Sequence, residues 1–202
     1  GAKALALPTK FGQTLHVSSL VGKKIIWTSL DSDKSIWFET ELTFEDIISR
    51  KDFDEEHPIK NTLVEILHQA NLQNSDFLAS ETGYKIETEL TFPRNWGVGT
   101  SSTLINNIAQ WLQIDAFKLL RKSFGGSGYD IACAQHNSAI TYQLDSEENP
   151  IVEVVNFKPD YTENIYFVYL NKKQNSRHAI QNYMNKQQFL TKKTATISEI
   201  TN

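Results

Sequence analysis

The chain holds one cysteine, one methionine, five prolines and nine glycines in 202 residues. Cys133 has no partner in the sequence, so no internal disulfide can form, and a reducing cytoplasm is the expected setting. No apolar run approaches the roughly twenty residues of a membrane span, and no signal peptide is visible. Basic charge is not in excess: Lys and Arg total 20 against 24 Asp and Glu, for a net charge of −4. That balance argues against nucleic acid or an anionic membrane as partner, and confines any phosphate binding to a loop and a helix end. No internal repeat or low-complexity segment appears. The Gly-Lys-Ser/Thr of a Walker loop is absent, as is a dinucleotide fingerprint. The chain opens Gly1-Ala2-Lys3-Ala4-Leu5-Ala6-Leu7-Pro8, with neither a Met nor a helix cap, and so reads as the middle of a longer protein.

What is present is a mixture of strand and helix signals without regular βα alternation, which favours an α+β fold. Thr14 to Leu20, Lys24 to Leu30 and Ser35 to Leu42 are short β-rich runs divided by turn signals, and together they predict an antiparallel meander. A charged loop follows from Arg50 to His57. Ile59, Leu63, Ile66 and Leu67 form a helical stripe behind Pro58, predicting a helix to Ala70. Tyr84 to Phe92 alternates in strand fashion. Helices are predicted over Thr100 to Leu112, over Asp115 to Lys122 with Asp115 as N-cap, and over Tyr129 to His136. Ala139 to Leu144 and Ile151 to Val155 read as a strand pair, Ile165 to Leu170 as a further strand, and Arg177 to Gln187 as a polar helix.

The segment with chemistry in it is Pro93-Arg94-Asn95-Trp96-Gly97-Val98-Gly99-Thr100-Ser101-Ser102-Thr103, a glycine loop between a strand and a helix start. Glycines allow close backbone approach to an anion, and the first helix turn offers unpaired N–H groups and the positive end of the dipole. Hydroxyls at Thr100, Ser101 and Ser102 can donate to phosphate or ligate a hard cation. The same residues would equally make an N-capped helix after a tight turn. Downstream, Asp130 in Gly126-Ser127-Gly128-Tyr129-Asp130-Ile131-Ala132 is either a helix cap or a catalytic carboxylate.

Pro93-x-x-x-Gly97-Val98-Gly99-Thr100-Ser101-Ser102 resembles the second conserved motif of the GHMP kinases, with Val, Thr and Ser in place of Leu, Ser and Ala. Gly126 to Ala132 is similar to a segment of phosphomevalonate and mevalonate kinases, and Gly1 to Ala6 resembles the tail of the family's first motif. The resemblance spans roughly Gly1 to Asn185. It implies a two-layer α+β domain of left-handed βαβ topology over residues 1–160, with the start of a second domain over 161–202, and a first strand and most of the C-terminal domain lying outside this chain. It further implies ATP and Mg²⁺ as cofactors. Pro93, Trp96, Gly97, Val98, Gly99, Thr100, Ser101 and Ser102 would line the nucleotide, with Ser101 also on the metal and Asp130 facing the acceptor hydroxyl as base or electrostatic aid. The acceptor implied is a small metabolite of the mevalonate or phosphomevalonate kind. One departure stands out: where mevalonate kinases carry a metal-binding Glu, this chain has Leu119. Phosphomevalonate kinases lack that Glu too, but its absence and the substituted motif residues keep a non-catalytic relative, using the loop as a ligand sensor or interaction surface, as the rival reading.

His16, His57, His68, His136 and His178 have no partners at metal-ligand spacing and read as surface or packing residues. Trp27, Trp37 and Trp111 read as packing residues. Trp96 is positioned in the loop to pack on an adenine. Lys172 and Lys173 read as a solvated turn.

Overall fold

A computed structural model describes residues 2–50 and 56–169 and, further on, positions 182, 197, 199 and 200. The fold is mixed α+β, with two sheets and five α-helices among the described residues. It divides into two compact units: residues 11–94 with 98–126, and residues 1–10 with 95–97 and 127–202.

The first unit contains a four-stranded sheet of β2 (Gln13–Val21), β3 (Lys24–Leu30), β4 (Ile36–Thr43) and β5 (Thr82–Leu90), in the order β2-β5-β3-β4. β1 belongs to the other unit. The expected meander is therefore wrong in one respect. β3 and β4 do form an antiparallel hairpin, but β5 enters between β2 and β3, antiparallel to one and parallel to the other. The insertion demands a residue without a side chain. A Cβ on Gly83 would stand 2.2 Å from the Lys24 carbonyl oxygen and 2.3 Å from that of Gly22, so the β2–β3 turn closes around this glycine.

Period-two alternation sends Ile25, Trp27, Leu42, Ile86 and Leu90 to the buried face, as the pattern predicts. Ser29 and Thr88 are buried there too. Their hydroxyls are satisfied by a chain in which Thr88 Oγ1 donates to Ser29 Oγ at 3.1 Å and Trp27 Nε1 donates to the same oxygen at 2.9 Å.

The helices of this unit are α1 (Phe44–Ser49), α2 (Pro58–Gln73), α3 (Thr100–Leu112) and α4 (Ala116–Ser123). α2 starts on Pro58 and buries Leu63, Ile66 and Leu67 as expected, whereas Ile59, in its first turn, is 47% exposed. α3 keeps its expected bounds. Asp115 caps α4, accepting from the Lys118 N–H at 2.9 Å. The sequence reading missed α1, although its signal is legible: Thr43 and Asp46 form a reciprocal capping box. Phe77 and Tyr84 both meet the Trp111 ring edge-on, with centroids 5.2 and 5.1 Å away.

The second unit contains a three-stranded antiparallel sheet in the order β1 (Ala4–Ala6), β6 (Ile140–Leu144), β7 (Pro150–Val154), together with α5 (Tyr129–Ala134). The β6–β7 pair matches expectation. β1 was not foreseen, because three residues show no period and their partner lies far along the chain. α5 stops two residues before the predicted end, and His136 Nδ1 lies 2.7 Å from the Ala132 carbonyl oxygen just beyond it.

The strand expected from Ile165 does not form. Residues 165–169 have no regular secondary structure, and Tyr166, Phe167 and Val168 are 77–79% exposed. An apolar run becomes a strand only with a neighbour to ladder against, and none pairs with it among the described residues. The predicted Arg177–Gln187 helix lies outside the described residues apart from position 182, and His178, Lys172 and Lys173 lie outside them altogether. No helix among the described residues is long and apolar enough to cross a membrane.

Candidate functional site

Pro93 comes three residues after the end of β5 and leads into one turn of 3₁₀ helix, Arg94–Trp96. Gly97 (φ 74°) and Gly99 (φ 83°) then take left-handed backbone conformations that only glycine adopts without strain. Gly99 is the N-cap of α3 and, having no side chain, leaves the helix start without a side-chain cap. The first intrahelical bond runs from the Thr103 N–H to the Gly99 carbonyl at 3.0 Å. The N–H groups of Thr100, Ser101 and Ser102 precede it and have no carbonyl one turn back. These three N–H groups stand where the sequence motif leads one to expect anion binding.

The hydroxyls of that turn differ. Ser102 lies on the buried stripe of α3 with Ile105, Asn106 and Ala109, so it offers the site its N–H more than its side chain. Ser101 is half-buried. Thr100 Oγ1 is buried and has no hydrogen-bond partner among the described residues. An unsatisfied buried hydroxyl costs about 1–3 kcal/mol. Thr103 anchors the turn from below: its Oγ1 donates to Gln13 Oε1 at 2.9 Å, while Asn107 Nδ2 donates to the Gln13 carbonyl at 2.7 Å. The N-terminus of α3 is thereby tied to the start of β2.

Thr100→Val keeps the shape and removes the hydroxyl. The ligand-free protein is expected to gain about 1 kcal/mol in denaturant unfolding. On the reading that this loop holds ATP, proposed below, ATP is expected to bind about tenfold more weakly by titration calorimetry, the loss of one hydrogen bond to a charged group. Equal stability and unchanged affinity would show that this oxygen faces no ligand.

Sequence reasoning missed Arg94. Its backbone N–H donates to Asp31 Oδ1 at 3.1 Å, its Nε lies 3.9 Å from Asp31 Oδ2, and its guanidinium stands 5.3 Å from the centre of the Trp37 ring. One carboxylate thus takes both the main chain and the side chain of the residue that starts the loop. Only an Arg after Pro93 hinted at this, since Asp31 read merely as part of a turn. Trp37 packs as expected, although its Nε1 is buried without a partner among the described residues. Trp96 is 40% exposed, and its ring centre lies 6.3 Å from that of Tyr169.

Asp130 is exposed in the first turn of α5, within the second unit. Gly128 (φ 84°) is the N-cap of that helix and forms no side-chain cap, so Asp130 itself is not the N-cap residue. Gly125 and Gly126 also have positive φ. Tyr129 donates its phenol to the Leu5 carbonyl at 2.9 Å, and Tyr142 donates to the Ser127 carbonyl. Burial, and then the Cys133 and Asp130 charges, push the Tyr129 phenol above its ordinary range, so it remains a donor.

Burial also pushes the Cys133 thiol up, and the Asp130 charge adds to it. A raised pKa means less thiolate at any pH below it. Iodoacetamide is therefore expected to modify Cys133 several-fold more slowly than a free thiol at pH 8, and Asp130→Asn is expected to speed the reaction. A rate equal to that of free cysteine in the native protein would contradict this environment.

His68 is structural, its Nδ1 lying 3.0 Å from the Ile47 carbonyl oxygen. Leu119 is fully buried in α4 and is part of the core.

No family model matches the chain, and no curated protein matches it in sequence. Among solved structures, it is similar to the mevalonate kinase of Methanococcus jannaschii, with a TM-score of 0.61 and 11% identity over 99% of this chain and 64% of that one. A Campylobacter jejuni chain described as a candidate sugar kinase aligns with a TM-score of 0.46 and 19% identity, over 73% of this chain and 46% of that one. The fold is thus similar to that of a mevalonate kinase, and the chain spans less than two thirds of that structure's length.

Proposed function

We propose that this chain carries the nucleotide-binding part of a small-molecule kinase, which passes the γ-phosphoryl group of ATP to a hydroxyl or phosphate of a metabolite. One observation carries the reading. On a mevalonate-kinase-like fold, two left-handed glycines feed an uncapped helix whose first residue keeps a buried, unpartnered hydroxyl. That arrangement suits phosphate oxygens better than the alternative of a capped helix, because no side chain here does the capping.

Bound ATP supplies the transferable phosphoryl group, and Mg²⁺ neutralises charge on its phosphate oxygens. The residues of this chain bind and orient. The N–H groups of Thr100, Ser101 and Ser102, with the Thr100 hydroxyl, hold phosphate. Ser101 Oγ would be the protein group that holds the metal, which would supply charge neutralisation at the phosphates. Pro93 and Val98 frame the glycine turn, and Trp96 offers an exposed ring to the base. Asp130 accepts the proton of an acceptor hydroxyl, or orients an acceptor phosphate, which needs no deprotonation. A mevalonate-like or phosphomevalonate-like acceptor is favoured by the Gly-Ser-Gly-Tyr-Asp segment, and the lone Cys133 fits a reducing cytoplasm.

The test is ADP release by the complete gene product with Mg-ATP and a panel of mevalonate-pathway and sugar acceptors. Acceptor-dependent release identifies the kinase and its substrate class. ATP binding without release for any acceptor would transfer the assignment to a non-catalytic ligand-binding protein.

A further inference from the structure

Asp130 stands on a weak foundation if only its own segment is considered. Three of the four residues from Gly125 to Gly128 are glycines with positive φ, which restrict the backbone little. α5 has six residues and no side-chain cap, too short to hold itself together in water. Within the segment, the Tyr129 N–H reaches Ser127 Oγ only at 3.4 Å. Contacts from outside the segment must help to hold it.

Two phenols do so. Tyr142, on β6 and 4% exposed, donates to the Ser127 carbonyl and so fixes the loop. Tyr129 donates to the Leu5 carbonyl on β1 at 2.9 Å and so fixes the first turn of α5. Their rings meet edge-on, with centroids 5.8 Å apart at an interplanar angle of 86°. Both anchors lie on the same sheet: Ala4 pairs with Tyr142 and Leu5 with Thr141. Asp130 follows Tyr129 directly.

We infer that Tyr129 and Tyr142 are positioning residues for Asp130, their paired hydroxyls tying a glycine loop and a short helix to the β1–β6 sheet so that the carboxylate keeps one place. The consequence for catalysis rests on the kinase reading above, while the tether itself does not. An error of about 1 Å in a catalytic group can cost about 10²-fold in rate. Losing a phenol here would therefore register in turnover while leaving nucleotide binding, made by α3, intact.

The experiment uses Tyr129→Phe and Tyr142→Phe in the complete gene product, each alone and with Asp130→Ala. Phe keeps the ring and removes only the hydroxyl. Each single variant is expected to lower kcat about tenfold with KM for ATP within about twofold. In the Asp130→Ala background neither is expected to lower the rate further, since a tether has no effect once its load is gone. Unchanged kcat in both variants, or the same tenfold loss in the Asp130→Ala background, would overturn the inference. Should the wild-type protein release no ADP with any acceptor, the kinase reading fails and the tether is judged on Cys133, which lies one turn beyond Asp130. Several-fold faster alkylation in the Phe variants supports it, and rates equal to wild type overturn it.

Discussion

Replacing Asp130 with alanine is expected to lower acceptor-dependent ADP release by about 10²–10⁴-fold if the acceptor presents a hydroxyl, the range for losing a positioned general base. ATP affinity is expected to stay within about twofold, because the donors proposed to hold phosphate belong to the start of α3 and not to α5. The size of the loss carries information. An acceptor phosphate is ionised already, so removing Asp130 then takes away orientation alone, and a loss of about tenfold is expected. Asp130→Asn sharpens the distinction, since the amide can orient but cannot take a proton. A hydroxyl acceptor predicts that Asn is about as damaging as Ala, whereas a phosphate acceptor predicts that Asn recovers most of the rate. Steady-state kinetics with single-turnover controls measures all of this. Full activity in the Ala variant would remove Asp130 from the mechanism. Its solvent exposure makes a fold defect a poor explanation for any loss, and an unchanged unfolding midpoint would confirm that.

Gly83→Ala is expected to be the most destabilising single-methyl substitution in the four-stranded sheet. The new carbon would lie 2.2 and 2.3 Å from two carbonyl oxygens of the β2–β3 turn. Those oxygens belong to the backbone, so no side chain can rotate away. Either the turn moves or β5 withdraws from between its neighbours, and the second disrupts two ladders together. Overpacking of this kind costs about 1–3 kcal/mol where the surroundings can yield, so a loss of at least about 3 kcal/mol is expected here. Urea unfolding followed by tryptophan fluorescence is a direct readout, because Trp27 is buried on β3 and Trp111 packs against Tyr84 on β5. A variant within about 0.5 kcal/mol of wild type would mean that the turn is free to open. By contrast, an alanine at Gly12 meets no atom within 4 Å and serves as the matched control.

The contrast between these two positions marks what could be read in advance. Asp130 could be singled out from the sequence because the segment Gly126 to Ala132 resembles one in known kinases, and that resemblance lies in neighbouring residues. Gly83 could not, since a lone glycine near the start of a strand means little until the partner that crowds it is known. The same division runs through the rest. β3, α3, α4 and the β6–β7 pair were legible because alternation, helical spacing and the Asp115 cap are written in neighbouring residues. The insertion of β5 between β2 and β3, and the pairing of Ala4–Ala6 with β6, were not, because both join segments far apart in the chain. Residues 165–169 show the converse, a strand-like pattern with no strand paired to it among the described residues.

At the site itself, composition and spacing alone determined that a glycine loop opens α3 and which hydroxyls follow it. Local backbone chemistry sufficed, for glycine is the residue that takes positive φ freely. Only the tertiary structure decided that Ser102 faces inward, that Thr100 keeps an unpartnered hydroxyl, that Asp31 and Trp37 hold Arg94, and that two phenols from separate elements hold the segment bearing Asp130. Each of these depends on which distant groups come within a few ångströms. Hydrogen bonding and burial act over that range, and no spacing along the chain encodes it.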